Sequence, residues 1–129
     1  MTIAKGAPIH VFNASLELGG FVRAGEVIAL SGDQDRPSFL KLDIPRIFAG
    51  TVSLGHDSQV DLNNLVSRDH VDSYSLKNDL LSFYDHNEVV YTLATIGNNP
   101  LTVAKAGGDV FVYTDGVAPP HSTLLPLHG

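Results

Sequence analysis

Glu88-Val89-Val90-Tyr91-Thr92-Leu93-Ala94-Thr95-Ile96 is the stretch on which the fold class turns. Its β-branched residues are stiff at χ1 and, with Tyr91, suit a pleated surface better than a helix, so it reads as a strand. Downstream, Asn98-Asn99-Pro100 turns the chain into Leu101-Thr102-Val103-Ala104. Gly107-Gly108 turns it again into Asp109-Val110-Phe111-Val112-Tyr113-Thr114, closed by Asp115-Gly116. Upstream, Leu76, Leu80, Leu81 and Tyr84 fall at i, i+4, i+5 and i+8, with Ser75 placed to cap. That spacing predicts one short helix between Ser75 and His86, weakened by Asn78, Asp79 and Ser82.

Toward the N-terminus the same alternation of short apolar runs and turns continues. Ile9-His10-Val11-Phe12 ends at Asn13, Gly19-Gly20 opens Phe21-Val22-Arg23, and Gly25 precedes Glu26-Val27-Ile28-Ala29-Leu30. Beyond a turn cluster from Ser31 to Ser38 come Phe39 to Ile44, then Pro45, Arg46-Ile47-Phe48, Thr51-Val52-Ser53-Leu54 and Gln59-Val60-Asp61-Leu62. Turn signals every 8 to 12 residues or so, without βαβ alternation or an internal sequence repeat, describe an antiparallel arrangement. The expected fold is mainly β: a single-domain antiparallel β-sandwich or barrel with one short helix and extended terminal arms. Its parts are an N-terminal arm over 1–8, a β domain over 9–116 and a C-terminal arm over 117–129. Phe12, Phe21, Phe39, Phe48, Phe111 and Tyr113 are the expected core aromatics.

Composition restricts function. With 129 residues and 43% hydrophobic content, the chain can bury roughly two thirds of its unfolded surface without staples. Cysteine is absent, which removes disulfides, thiol nucleophiles and thiolate metal sites. Eight basic residues stand singly against fourteen acidic ones, giving a net charge of −6 and no basic stripe for nucleic acid. The start lacks a signal-peptide core and no apolar run reaches the ~20 residues of a membrane span, so the chain reads as soluble.

Motifs for chemistry are weak. The six histidines include no pair at i+2, i+3 or i+4, the spacings that put two ligands on one strand or helix face. Gly108 to Gly116 followed by His121 resembles the second metal motif of the cupin family. Thr114 stands where that family has proline, His121 lies too far on, and the first motif is missing. No Gly-x-Ser-x-Gly, phosphate-binding loop or calcium loop is present. The expectation is a non-enzymatic chain with no catalytic residues, metal or cofactor. A cupin-like small metal-binding enzyme is one alternative; a carbohydrate- or peptide-binding β-sandwich, using Tyr74, Tyr84 or Tyr91 as an exposed stacking platform, is the other.

The C-terminal arm is the strongest pointer to function. Pro119, Pro120 and Pro126 deny it a helix or a central strand, yet Leu124, Leu125 and Leu127 are costly to leave in water. Together with Ile3 and Pro8 of the N-terminal arm, these leucines are the expected partner-binding residues.

Gly19 to Leu30, with Gly50-Thr51-Val52-Ser53-Leu54, resembles the glycine- and valine-rich opening of small β-rich head-decoration proteins of tailed bacteriophages. That resemblance implies a capsid decoration or cement protein, assembled in the host cytoplasm and located on the virion capsid surface. It also implies a homo-oligomer, commonly a trimer, partnered by a larger assembly such as a major capsid protein, with neither nucleic acid nor membrane as a partner.

Overall fold

The protein is described from a computed structural model covering residues 9–19, 25–33, 35–45, 48–65, 70–97, 100–114 and 122–127. It is mainly β, with twelve strands among the described residues in two six-stranded sheets. The strands are β1 (Ile9–Phe12), β2 (Ser15–Leu18), β3 (Val27–Ser31), β4 (Ser38–Leu42), β5 (Thr51–Leu54) and β6 (Ser58–Leu62), then β7 (Ser73–Lys77), β8 (Leu80–Asp85), β9 (Glu88–Ile96), β10 (Thr102–Ala106), β11 (Asp109–Tyr113) and β12 (Thr123–Leu124). One sheet runs β1-β3-β5-β9-β8-β7 and the other β12-β10-β11-β6-β4-β2. No helix among the described residues is long and apolar enough to cross a membrane.

The expected antiparallel pairing holds for only part of the molecule. From β1 to β6 the chain alternates between the sheets, so each strand lies parallel to the one a coil later: Ile9 beside Ile28, Ile28 beside Val52, Leu16 beside Leu40, Leu40 beside Val60. This is a structural repeat of roughly 20 residues, the length of a short solenoid turn, where the sequence shows no repeat. Stacking requires only that an apolar residue return to the inner face each coil, so the coils share a pattern and not a motif.

Each coil turns between sheets at a tight corner. Gly55 N–H donates to Leu30 O at 2.8 Å, and a Cβ on Gly55 would sit 2.7 Å from that oxygen. Gly97, at φ 147°, approaches Leu54 O in the same way, at 2.6 Å. Only glycine admits backbone so close. The other side of the corner is lined by the buried hydroxyls of Ser38, Ser58 and Thr114. Ser38 Oγ donates to Ser31 O at 2.5 Å, while Thr114 Oγ1 accepts from Ser58 N–H at 3.0 Å and donates to Gly55 O at 2.8 Å. These bonds satisfy carbonyls that the change of sheet removes from the ladders.

The second half is built from hairpins. The predicted helix over Ser75 to His86 is replaced by β7 and β8, joined by Asn78-Asp79 with φ of 52° and 63°. Two successive positive φ values give the turn that matches strand twist, and Asn and Asp tolerate them. The leucine spacing also fits alternation, and cross-strand packing decides in favour of strands: Leu76 pairs with Leu81 and Tyr74 with Phe83. Gly107-Gly108, at 59° and 90°, makes the equivalent turn between β10 and β11.

One apolar cluster takes side chains from both sheets, including Ile28, Leu30, Val52 and Phe83 from one and Leu40, Leu42, Val60 and Val112 from the other. Of the expected aromatics, Phe48 and Tyr113 are buried. Phe12 is instead 64% exposed, and Phe39 and Phe111 are half-buried on the outer face of their sheet, because their strands turn Leu40, Val110 and Val112 inward. Phe21 lies outside the described residues. Phe83, within the predicted helix, is the fully buried aromatic.

Candidate docking surface

The C-terminal segment is fixed by its backbone. β12 pairs antiparallel with β10, Thr123 opposite Lys105 and Leu124 opposite Ala104. Leu125 N–H then donates to Val103 O at 2.9 Å. The carbonyl of Pro126 accepts from Tyr74 N–H at 3.1 Å, and Leu127 bridges to Tyr74 in parallel sense. The segment therefore crosses from the end of one sheet to the end of the other. Proline is compatible with this path because Pro126 uses its carbonyl and needs no donor.

This path divides the three leucines. Leu125 is 6% exposed and belongs to the apolar core, so its burial requires no partner, contrary to its expected role as an anchor. Leu124 and Leu127 flank it and are 64% and 69% exposed. For Leu124 the reason is geometric: residues along an extended segment alternate in direction, so seating Leu125 turns Leu124 outward. Ile3 and Pro8, the other expected partner-binding residues, lie outside the described residues, as does His121 of the cupin-like stretch.

Two further groups come together only in space. On the outer face of the β2-β4-β6 sheet, Glu17, Lys41 and Asp61 stand in register, with Asp43 and Asp109 beside them. Glu17, Lys41 and Asp61 border an open groove of about 460 Å³ that Leu16, Phe39 and Gln59 also line. Burial, a hydrogen bond with Asp109 and that residue's charge push Asp61 up to about 7, against the pull of Lys41. A hydrogen bond with Asp43, reinforced by its charge, raises Glu17. At the β8–β9 turn, Asp72, Asp85 and His86 bring three potential ligand atoms within 4.8 Å of one another. His86 Nδ1 is 2.8 Å from Asp85 Oδ1, and this bond, followed by the two carboxylate charges, raises the imidazole. Asp72 joins through the 2.7 Å bond from His86 N–H to its Oδ2, a contact between residues too far apart in the chain for spacing to reveal.

The three tyrosines do not share an exposed platform. Tyr74 and Tyr91 pack against the core, Tyr91 stacking on Phe83 at 6.0 Å, and Tyr84 OH lies 3.1 Å from Ser75 Oγ. Burial pushes the Tyr91 phenol up.

No protein-family model matches the chain, and no curated protein or solved structure is similar enough to count as a relative.

Proposed function

We propose that this protein is a non-enzymatic structural protein whose two sheets form a sandwich-like rigid body, and that its C-terminal segment docks it onto a larger protein assembly. The specific form proposed is a capsid decoration protein that bridges major capsid subunits on the virion surface, after assembly in the host cytoplasm. The carrying observation is the division of labour in the tail: Leu125 is pegged in the core while Leu124 and Leu127 are held outward on hydrogen-bonded backbone. Apolar side chains fixed in advance lose little conformational entropy when a partner covers them, which suits a permanent attachment. The sequence resemblance supplies the capsid part of the reading.

The test is co-sedimentation with undecorated heads of the phage that encodes the chain. The wild-type protein is expected to bind saturably, and the double variant Leu124→Ser/Leu127→Ser to lose binding while keeping the wild-type circular dichroism and unfolding midpoint. Wild-type protein that stays in the supernatant overturns the capsid reading.

A further inference from the structure

Asp72, Asp85 and His86 are the one group among the described residues in which three potential metal-ligand atoms converge. Backbone contacts assemble it. Asp72 N–H donates to Tyr84 O at 2.8 Å, which extends the β7–β8 ladder beyond the Ser73–Tyr84 pair, and His86 N–H donates to Asp72 Oδ2 at 2.7 Å. Ser73 Oγ donates to Asp72 Oδ1 at 3.1 Å and orients that carboxylate, as the outer partner of a metal ligand does. The donor distances suit one ion. His86 Nδ1 lies 2.8 Å from Asp85 Oδ1 and 3.7 Å from Asp72 Oδ2. Ligands about 2.1 Å from a metal stand about 3.0 Å apart at octahedral angles and about 3.4 Å apart at tetrahedral ones. Both separations fall close to those values, and the imidazole, which is largely exposed, is free to rotate onto an ion. Charge points the same way: Asp85 stands directly opposite Glu88 across the turn, a like-charged pair that costs stability and that a cation beside Asp85 offsets.

We propose that Asp72, Asp85 and His86 form a binding site for a divalent transition-metal ion of the zinc class, with water completing its coordination. The class follows from the donors. Calcium and magnesium take oxygen ligands throughout, whereas an imidazole nitrogen beside two carboxylates selects zinc and its first-row neighbours. Neutral His86 binds through Nδ1, and Asp72 and Asp85 each supply one carboxylate oxygen. The ion joins the start of β7 to the β8–β9 turn, two residues from Tyr74, whose N–H holds Pro126 O. The site shares no residue with the exposed leucines of the tail, so it stands whether or not they dock on a partner.

Isothermal titration of the chelator-treated, full-length protein with zinc chloride tests the site. Wild type is expected to bind one equivalent of zinc saturably. Asp72→Asn and His86→Asn are each expected to weaken binding at least about tenfold, the loss that follows removal of even a ligand's outer partner. Both substitutions suit the fold: Asn at position 72 still accepts from His86 N–H, and Asn adopts the φ of 59° at position 86 as readily as His. His10→Ala, on β1, is expected to bind as wild type does, and calcium chloride to give no saturable heat. The absence of saturable zinc binding by wild type overturns the proposal. So does an affinity that both Asn variants retain or that His10→Ala loses equally, the outcome if zinc reaches only scattered histidines. Calcium bound as tightly as zinc overturns it as well, since the imidazole would then not be a ligand.

Discussion

Strands β1 to β6 and strands β7 to β12 are equal in number and opposite in construction. Within the first set every pairing joins strands a full coil apart and runs parallel; in the second most neighbours are hairpin partners. A hairpin closes a loop of two residues and gains its ladder at once, whereas a coil must order about twenty residues before its first parallel bond forms. The two halves also end differently. Among the described residues the first ends in two strands with one neighbour each, and the second is crossed by its own tail. Stability should therefore be sensitive to tail closure and to the corners of the coil, and tolerant at hairpin turns.

Loss of the tail peg has the largest expected effect. Leu125→Ala should cost about 2–5 kcal/mol, the range for a buried leucine, while Leu124→Ala and Leu127→Ala each stay within about 0.5 kcal/mol. Urea unfolding of the three variants checks this. Equal costs would mean that the segment is not seated in the core and that the second half is not closed by its tail.

Next comes a pair of glycines, one from each kind of construction. Gly97 closes the corner where β9 leaves its parallel partner β5, and a Cβ there meets Leu54 O at 2.6 Å with φ at 147°. Gly97→Ala should cost about 2–3 kcal/mol through strain and displacement. Gly107, at φ 59° in a hairpin turn, has nothing within 4 Å of a Cβ. Gly107→Ala should cost about 1 kcal/mol, the left-handed penalty alone. Thermal unfolding of both ranks them, and a reversal would remove the argument that coil corners are the tighter constraint.

What could be read from the sequence follows the same divide. The strands Ile9–Phe12, Thr51–Leu54 and Glu88–Ile96 match their predicted extents because local β-branched and aromatic content specifies them. β2, only four residues between a corner and Gly19, carries too little alternation to separate from loop. The Asn78-Asp79 turn was available as a hairpin signal, but a leucine spacing that suits both helix and hairpin outweighed it, and only cross-strand partners distinguish the two. Parallel pairing was not legible, because it depends on which coil stacks on which. In the tail, composition marked three leucines as needing cover. It could not say that Leu125 takes the core and Leu124 the surface, which depends on the register with β10.

The seam where the halves meet offers a smaller effect. β6 pairs with β11, bringing Asp61 and Asp109 into one hydrogen bond. Asp61 sits at about 7 in the folded protein against an ordinary 3.8, so the native state holds a proton that the unfolded chain releases. Its contribution is therefore most favourable below the unfolded value and is lost as pH rises toward 7. With half the group open to solvent, the change should be about 1 kcal/mol between pH 4 and 7. The difference in unfolding free energy between wild type and Asp61→Asn, measured across that range, should move by this amount in favour of the variant. A flat difference would mean that the seam carries no shared proton.

The smallest effect tests the hairpins directly. Asp79 holds φ 63° at the second turn position, a conformation that glycine adopts at lower cost. The contact that ties this turn to the sheet is from Thr95 N–H to Asp79 O, a backbone carbonyl that Asp79→Gly retains. Relief of the left-handed penalty should exceed the added freedom of the unfolded chain, because the turn sequence becomes the favoured Asn-Gly. The variant is expected to gain about 0.5 kcal/mol, read as a rise in the urea midpoint with an unchanged slope. A loss of stability would show that the Asp79 side chain, and not turn geometry alone, holds β7 to β8. The second half would then depend on specific contacts as strongly as the coils do.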